Sequence, residues 1–400
     1  MIDGLGWRFK ISTSMKVHAL YAIISIIIVL CIDYTNHSPF GFHNDFVQYW
    51  ASGKIILDGQ INDLYRLYDD TPYQIIQVVY NTSFFRYLPT AAFIFVPFAL
   101  VPYNISYCFY IIICVLLNFK TSTYIDRIIK IINGDSEKVN KYARLCSSLY
   151  LIFPFHIDVF IEGQISPLIA FTIIFSLLKL LGNEEKKAFL VLGLSFCIKP
   201  VAYLIIIYML IVAKSLKKMV KRCILILAPI SLNLIIFAIF PEIMRNFIQT
   251  NLTDIGFSPS LSLTSALSIF IGNKIYIMLI GLIIFFISFF IVKRNILVLE
   301  KDIIVFAYIF GIFAIFIFQA DIWASQTIYL LPFIFLLNMD VDLIKKEFLK
   351  TTIILCIVIS ILFPPLFKMV AWIPSIYFSY ILLKNIKINE KRTLLCTGTG

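Results

Sequence analysis

Long runs of apolar residues limit what this chain can fold into. Residues 277–292 read IMLIGLIIFFISFFIV and residues 303–318 read IIVFAYIFGIFAIFIF, each close to the roughly 20 apolar residues that a helix needs to cross a bilayer. Lipid offers no hydrogen-bond partner to the backbone, so a run that crosses it must be helical. Only 14% of the residues are charged, against about 25% in soluble domains. The sequence therefore predicts one all-α polytopic membrane domain over residues 1–400.

The basic residues give the chain an orientation. Segment 214–222, KSLKKMVKR, holds five basic residues and no acid, and both terminal regions are basic as well. Short basic loops stay in the cytoplasm. Residues 33–70 carry six acids and only two bases, so we expect an external first loop at about 35–86 with short interfacial helices. The net charge of +11 thus reflects the orientation of the chain in the membrane and does not indicate nucleic-acid binding.

Apolar runs and basic loops together predict about 12 membrane-spanning helices with both termini inside. The run from Ala19 to Ile32 is not followed by a small-residue cleavage site, so it is expected to be the first span. Residues 87–119 are expected to form two short helices split at Pro102, followed by a basic loop over 120–142. The other expected spans are 144–160, 167–181, 188–200, 201–213, 222–240, 274–292, 302–318, 327–338, 351–366 and 370–383.

The external segment 43–65, HNDFVQYWASGKIILDGQINDLY, has the pattern of a short amphipathic helix. An apolar stripe is predicted to lie in lipid, and Asp45 and Tyr49 fall on a neighbouring face directed at a cavity above the bundle. Asp45 is a candidate for chemistry at the membrane surface. The alternative is that Asp45 or Asn44 only caps the helix. The stripe consists of Phe46, Trp50, Gly53 and Leu57.

Three further features are expected on the same external side. EGQISP at 162–167 breaks the chain between two spans and places Gln164 at the cavity mouth, unless it is only a turn. Lys199 precedes Pro200 at an external helix end, where it is either a phosphate ligand or a snorkelling lysine. Arg86 in FFRYLP has a guanidinium suited to a lipid phosphate, or it anchors its helix in the headgroups.

In their order along the chain, these features resemble the GT-C class of polytopic glycosyltransferases. More narrowly, they resemble glycosyltransferase family 87, the bacterial polyprenyl-phosphate-mannose-type mannosyltransferases. Each motif is weak alone, and the ordered set extends from about residue 43 to residue 335. The matching elements are Asp45, Tyr49-Trp50-Ala51, Leu57-Asp58-Gly59, Leu64-Tyr65, Tyr87 to Pro89, Phe95 to Pro102, Gly163-Gln164 and Lys199-Pro200.

The resemblance implies a GT-C-like bundle in the bacterial inner membrane with its active site on the external face. A sugar such as mannose would pass from a polyprenyl-phosphate donor to a glycan or glycolipid acceptor. Asp45 would be the general base of an inverting transfer, because the family's first-loop aspartate has that role. Lys199 and Arg86 would bind the donor phosphate, and Tyr49 and Gln164 would bind substrate.

One segment departs from the family pattern. Relatives commonly have a tryptophan followed by histidine at the external end of a late span. Here Trp323 is followed by Ala-Ser-Gln, so any such role is absent, or Gln326, Asp321 or His156 takes it in substrate binding. The alternatives without a role in substrate binding are a helix cap for Asp321 and a hydrogen-bonded helix-end residue for His156. His18 is expected at the cytoplasmic beginning of the first span.

The sequence indicates neither a metal nor a cofactor. The eight cysteines have no CxxC spacing, which argues against a metal site and a disulfide framework. The DxD-like triplet Asp340-Val341-Asp342 falls in a predicted cytoplasmic loop, on the wrong face for this site. The expected partners are the donor, the acceptor and the bilayer. The alternatives are a lipid-linked oligosaccharide polymerase or ligase, and a polytopic transporter.

Overall fold

The computed structural model describes residues 12–35, 44–65, 85–253, 300–318 and 326–337, together with residues 279 and 283. Within these ranges the chain forms helices and no strand, which confirms the all-α prediction. Two short 3-10 turns, Ile61–Asp63 and Pro200–Ala202, connect some of the α-helices. The α-helices are α1 Thr13–Thr35, α2 Phe46–Leu57, α3 Pro89–Ala99, α4 Tyr103–Asn133, α5 Glu137–Leu151, α6 Phe155–Ile161, α7 Ser166–Leu181, α8 Glu185–Ile198, α9 Tyr203–Ile211, α10 Leu216–Ile239, α11 Pro241–Thr253, α12 Glu300–Phe318 and α13 Thr327–Leu337.

Four helical segments in the described ranges are long and apolar enough to cross a membrane: Thr13–Cys31, Tyr103–Asn133, Glu137–Ile161 and Leu216–Ile239. Their outer faces carry large apolar side chains in contact with the surroundings, and Leu234 of α10 is 65% exposed. A surface of this kind suits lipid better than water. The expected spans 351–366 and 370–383, and nearly all of 274–292, lie outside the described residues. Five shorter apolar helices accompany the four segments: Pro89–Ala99, Ser166–Leu181, Pro200–Ile211, Ile303–Ile312 and Thr327–Leu336.

Residues 120–133 and 137–142 are helical, so the predicted basic loop over 120–142 is wrong. The expected break at Pro102 is present, but the helix that follows it, α4, is 31 residues long. Its second half buries isoleucines at helical spacing, and the Ser122 hydroxyl donates to the Ser147 carbonyl of α5 (2.9 Å). Packing against neighbouring helices therefore stabilises α4 beyond the end of its apolar run. The connection to α5 is residues 134–136, and Gly134 there has a φ of 79°.

Helix α2 packs against protein, and the prediction that its apolar stripe faces lipid is wrong. Phe46 is fully buried, and Leu57 at the far end of the stripe is 38% exposed. A Cβ added at Gly53 would lie 2.6 Å from the Phe95 carbonyl oxygen of α3. The two helices are thus in backbone contact at this glycine. The stripe is apolar because it fits α3 and α4, and the sequence pattern does not separate this from a lipid-facing stripe.

Two polar regions lie at opposite ends of the α7–α8 hairpin. At the turn between the helices, the Glu184 carboxylate pairs with Lys179 and Lys187, both at 2.6 Å. Arg222 at the beginning of α10 donates to Glu185 (2.9 Å), so segment 214–222 joins this turn. The other end holds the beginning of α7, which follows Gln164, and the end of α8 at Lys199.

Candidate functional site around Asp45

Asp45 is docked against the turn that precedes α7. Its backbone N–H donates to the Glu162 carbonyl (2.6 Å), and the Gln164 side-chain amide donates to its Oδ2. Asp45 is 5% exposed, and its side chain makes no capping hydrogen bond to α2. The neighbouring Asn44 instead accepts from the Phe46 N–H (3.0 Å) through Oδ1. Asn44 thus provides the local helix-start contact, and the Asp45 carboxylate is directed at Gln164.

The backbone of the 162–164 turn fits closely against the beginning of α2. Gly163 has a φ of 60°, a conformation that costs L-residues free energy. A Cβ there would lie 2.6 Å from the Phe46 Cβ and 2.7 Å from the Asn44 Oδ1. Asn44 also donates to the Ile161 carbonyl (3.1 Å). The turn and the first residues of α2 therefore hold Asp45 in place together.

We expect Gly163→Ala to lower the free energy of unfolding by about 1–3 kcal/mol, through the positive φ and the clash with Phe46. Gly59→Ala is the matched control, because Gly59 has a φ of 72° but nothing within 4 Å of an added Cβ. The control should lose only the backbone contribution. Thermal unfolding of both purified variants in detergent checks this. Equal losses would show that the turn is not tightly packed on α2.

Aromatic packing fixes the helix that carries Asp45. The Phe46 ring stacks on Tyr110 of α4 with centroids 4.5 Å apart. The Tyr110 hydroxyl donates to the Gln164 carbonyl (2.7 Å), and the Tyr107 hydroxyl donates to the Phe160 carbonyl. Helix α4 therefore supports both α2 and the 162–164 turn from one side.

Two tyrosines border the Asp45 region. The hydroxyls of Tyr49 and Tyr87 are 3.0 Å apart, and the Tyr49 ring stacks on Phe95 at 4.7 Å. Burial raises the pKa of Tyr49, and the nearby Tyr87 and Asp45 raise it further. Burial also raises the pKa of Tyr87, with a further contribution from Asp45. Both phenols therefore stay protonated at neutral pH and keep their hydroxyl donors.

Lys199 brings a positive charge to the same place. Its Nζ lies 5.9 Å from the centroid of the Tyr87 ring, within the range of a cation–π contact. Burial lowers the pKa of Lys199, and the negative charges of Asp45 and Glu162 oppose that decrease. The lysine side chain is half-buried. Asp45, Glu162 and Lys199 thus form one electrostatically coupled group, although they come from three separate parts of the chain.

The structure brings Arg86 and Gln326 to the edge of this group. Arg86 directly precedes Tyr87, and its charge acts on the Tyr87 phenol. Gln326 is 2% exposed and accepts from the Tyr329 hydroxyl (2.9 Å); Tyr329 in turn interacts electrostatically with Tyr87. Asp321 lies outside the described residues.

His156 lies in a separate buried cluster. Its Nε2 contacts the Tyr150 carbonyl (2.9 Å), and its ring meets that of His18 edge-on with centroids 4.5 Å apart. The Asn118 amide lies 3.1 Å from the His18 Nε2 and 3.3 Å from the His156 Nδ1. His18 lies near the beginning of α1, as expected, and packs beside the end of the 137–161 segment. These contacts match the helix-end alternative for His156.

An apolar groove of about 350 Å³ lies beside the histidine cluster, between α1, the α5–α6 junction and α13. Asp45 is not among the residues that line it. It is therefore distinct from the Asp45 site. The lining residues are Val17, Tyr21, Leu149, Ile152, Phe153, Pro154, Leu331 and Phe335.

Sequence reasoning missed two members of the site. The Glu162 carbonyl accepts from the Asp45 N–H, and Glu162 interacts electrostatically with Lys199. Tyr87 contacts both Tyr49 and Lys199. Both residues stood inside motifs that were noted, EGQISP and FFRYLP.

The site offers a carboxylate, an ammonium group and neutral phenols in a space largely shielded from water. A carboxylate can take a proton and a lysine can stabilise a developing phosphate charge. Within the described residues, no three or more His, Cys, Asp or Glu side chains are grouped to hold a metal ion.

The fold and site define an all-helical membrane protein with a buried polar centre at one end of its helices. The model of glycosyltransferase family 87 matches residues 84–300, more than half of the 400-residue chain, so the chain belongs to this family and is a membrane glycosyltransferase. The matched range includes Arg86, Gln164 and Lys199 and begins after Asp45. No curated protein matches the chain.

Proposed function

We propose that this protein transfers a mannose-like sugar from a polyprenyl-phosphate donor to a lipid-linked or glycan acceptor, with inversion at the anomeric carbon. The observation that carries the proposal is the electrostatic interaction between the buried Asp45 carboxylate and Lys199. Family membership supports sugar transfer. The polyprenyl-phosphate donor is what the resemblance to family 87 implies, and Lys199 and Arg86 are the candidates to bind its phosphate.

In the proposed reaction, the acceptor hydroxyl attacks the anomeric carbon as the bond between that carbon and the phosphate oxygen breaks. Asp45 takes the hydroxyl proton, and the electron pair of the broken bond leaves with the polyprenyl phosphate. The leaving group is an anion already, so it needs no strong acid. Lys199 and Arg86 stabilise its charge.

The remaining site residues are proposed to position the substrates. The protonated phenols of Tyr49 and Tyr87 supply hydroxyl donors for the sugar or the phosphate. Gln326 reaches the site through Tyr329, and Asp321 keeps its expected role in acceptor binding. We assign His156 to the support of α6 through its contacts with Asn118 and Tyr150, and not to substrate binding.

We place the site on the external face of the bacterial inner membrane. The basic segment 214–222 lies with the Glu184–Lys187 turn at the opposite end of the α7–α8 hairpin from Lys199. Short basic loops stay in the cytoplasm, which puts the Asp45 end outside. An external site is also where a polyprenyl-linked donor is needed, because a soluble nucleotide sugar is confined to the cytoplasm.

Cysteine labelling tests this sidedness. Gln60→Cys, which follows α2, and Lys186→Cys at the basic end both introduce thiols at exposed positions. In intact cells, a membrane-impermeant maleimide should label position 60, and position 186 only after permeabilisation. Labelling is measured above that of the native cysteines. The reverse pattern would contradict the external site.

Transfer by the purified protein in nanodiscs tests the function itself. Polyprenyl-phosphate mannose and its glucose and arabinose counterparts serve as donors, and glycolipids and oligosaccharides as acceptors. We expect a glycosylated product and release of polyprenyl phosphate in equal amounts. The product's anomeric configuration reports inversion. Transfer from a nucleotide sugar only, or assembly of sugars from a diphosphate-linked oligosaccharide, would overturn the proposal.

A further inference from the structure

Gln164 is fixed by both its backbone and its side chain. Its N–H donates to the Val159 carbonyl (2.9 Å), and its carbonyl accepts from the Tyr110 hydroxyl (2.7 Å). The residue is 6% exposed, and its side-chain amide donates to the Asp45 Oδ2. The residue is thus held on two sides and presents an amide donor to the carboxylate.

From the sequence and the family resemblance, Gln164 is predicted to have a different role, in which it binds substrate at the cavity mouth. A side-chain amide nitrogen that donates to a buried carboxylate is a tether for that carboxylate. A hydrogen bond to a charged acceptor is stronger and more directional than one between neutral groups. Such a bond fixes the rotation of the Asp45 side chain, which the backbone contacts alone leave open.

We propose that Gln164 is a positioning residue that sets the orientation of the Asp45 carboxylate for proton transfer. The inference rests on the proposed function of Asp45 as the base. The turn supplies the backbone anchor through Glu162, and Gln164 supplies the side-chain anchor. The orientation of the Asp45 carboxylate therefore depends on the 162–164 turn, which lies more than a hundred residues further along the chain.

The two anchors are separable by mutation. The bond from the Asp45 N–H to the Glu162 carbonyl and the contacts of Asn44 with Phe46 and Ile161 do not use the Gln164 side chain. Gln164→Leu should therefore keep α2 docked while removing the amide hydrogen bond from the carboxylate. Gln164→Asn retains an amide on a shorter side chain, so it should recover part of the function. Gln60→Leu, at an exposed glutamine after α2, is the control.

The experiment measures kcat and KM for donor and acceptor in the wild type, Gln164→Leu, Gln164→Asn, Asp45→Asn and the Asp45→Asn/Gln164→Leu double variant. We expect Gln164→Leu to lower kcat by about 10- to 100-fold with both KM values nearly unchanged, and Gln164→Asn to lie between it and the wild type. The double variant should be no slower than Asp45→Asn, because positioning has no value once the base is gone.

The outcomes separate this inference from the proposed function. If Asp45→Asn is inactive but Gln164→Leu has wild-type kcat, positioning by Gln164 is wrong and the base assignment stands. A raised KM with unchanged kcat would make Gln164 a substrate-binding residue. If Asp45→Asn retains full transfer, the proposed base and the positioning role are both wrong. Thermal unfolding of each variant identifies losses caused by misfolding, and a kcat loss that follows instability equally in Gln164→Leu and Gln164→Asn would overturn the positioning role.

Discussion

Asp45→Asn should reduce sugar transfer by about 10²- to 10⁴-fold, the usual contribution of a general base. The asparagine cannot take the acceptor proton at neutral pH. It keeps an oxygen that accepts the Gln164 amide hydrogen bond seen at Asp45 Oδ2. Helix α2 should therefore remain docked, and KM for the donor should change little. Initial rates at saturating donor, with thermal unfolding measured in parallel, check the result.

Asp58→Asn is the matched control for this change. Asp58 follows the last residue of the same helix and forms an ion pair with Lys54 (2.8 Å) in which both side chains are about one-third exposed. An exposed pair of this kind contributes about 0–1 kcal/mol, so its loss should leave transfer unchanged. Equal activity in the two variants would remove Asp45 from the chemistry.

The shared position of Gln164 and Lys199 could be predicted from the sequence. Residues 167–181 and 188–200 are predicted spans that are joined by the turn at 182–188. A chain that crosses the membrane and turns back must return to the face from which it started. The structure has this hairpin as α7 and α8, with Gln164 just before its beginning and Lys199 just after its end. Chain topology alone thus brings the two motifs to one face.

The surroundings of Asp45 could not be predicted in the same way. The apolar stripe of α2 packs on protein, because a side chain that suits lipid also suits a protein core. The contacts of Asp45 with Glu162 and Gln164 join segments far apart in sequence. The pairing of His18 with His156 similarly depends on the rotation and stagger of helices. Hydropathy reports that a helix crosses the membrane and carries no information about its rotation.

Lys199→Met should lower kcat/KM for the donor by about 10²- to 10³-fold, the cost of removing one charge that stabilises a leaving group. Methionine keeps most of the length of the side chain, which lies over the Tyr87 ring, but cannot interact with the phosphate. Lys217→Met, at an exposed lysine of the basic end, is the control. Transfer by Lys199→Met at the wild-type rate would assign Lys199 to anchoring only.

The protonation of Lys199 gives this prediction a pH dependence. Burial lowers the pKa of Lys199, so the ammonium group should lose its proton, and the enzyme its activity, at a lower pH than an exposed lysine would. Asp45 and Glu162 oppose this change, and removing a negative charge should move the pKa further down. Glu162→Gln should therefore shift the alkaline limb of the pH–rate profile to lower pH, with a larger loss of rate at pH 9 than at pH 7. An unchanged alkaline limb would mean that the titration of Lys199 does not limit transfer, and the phosphate would then depend on Arg86.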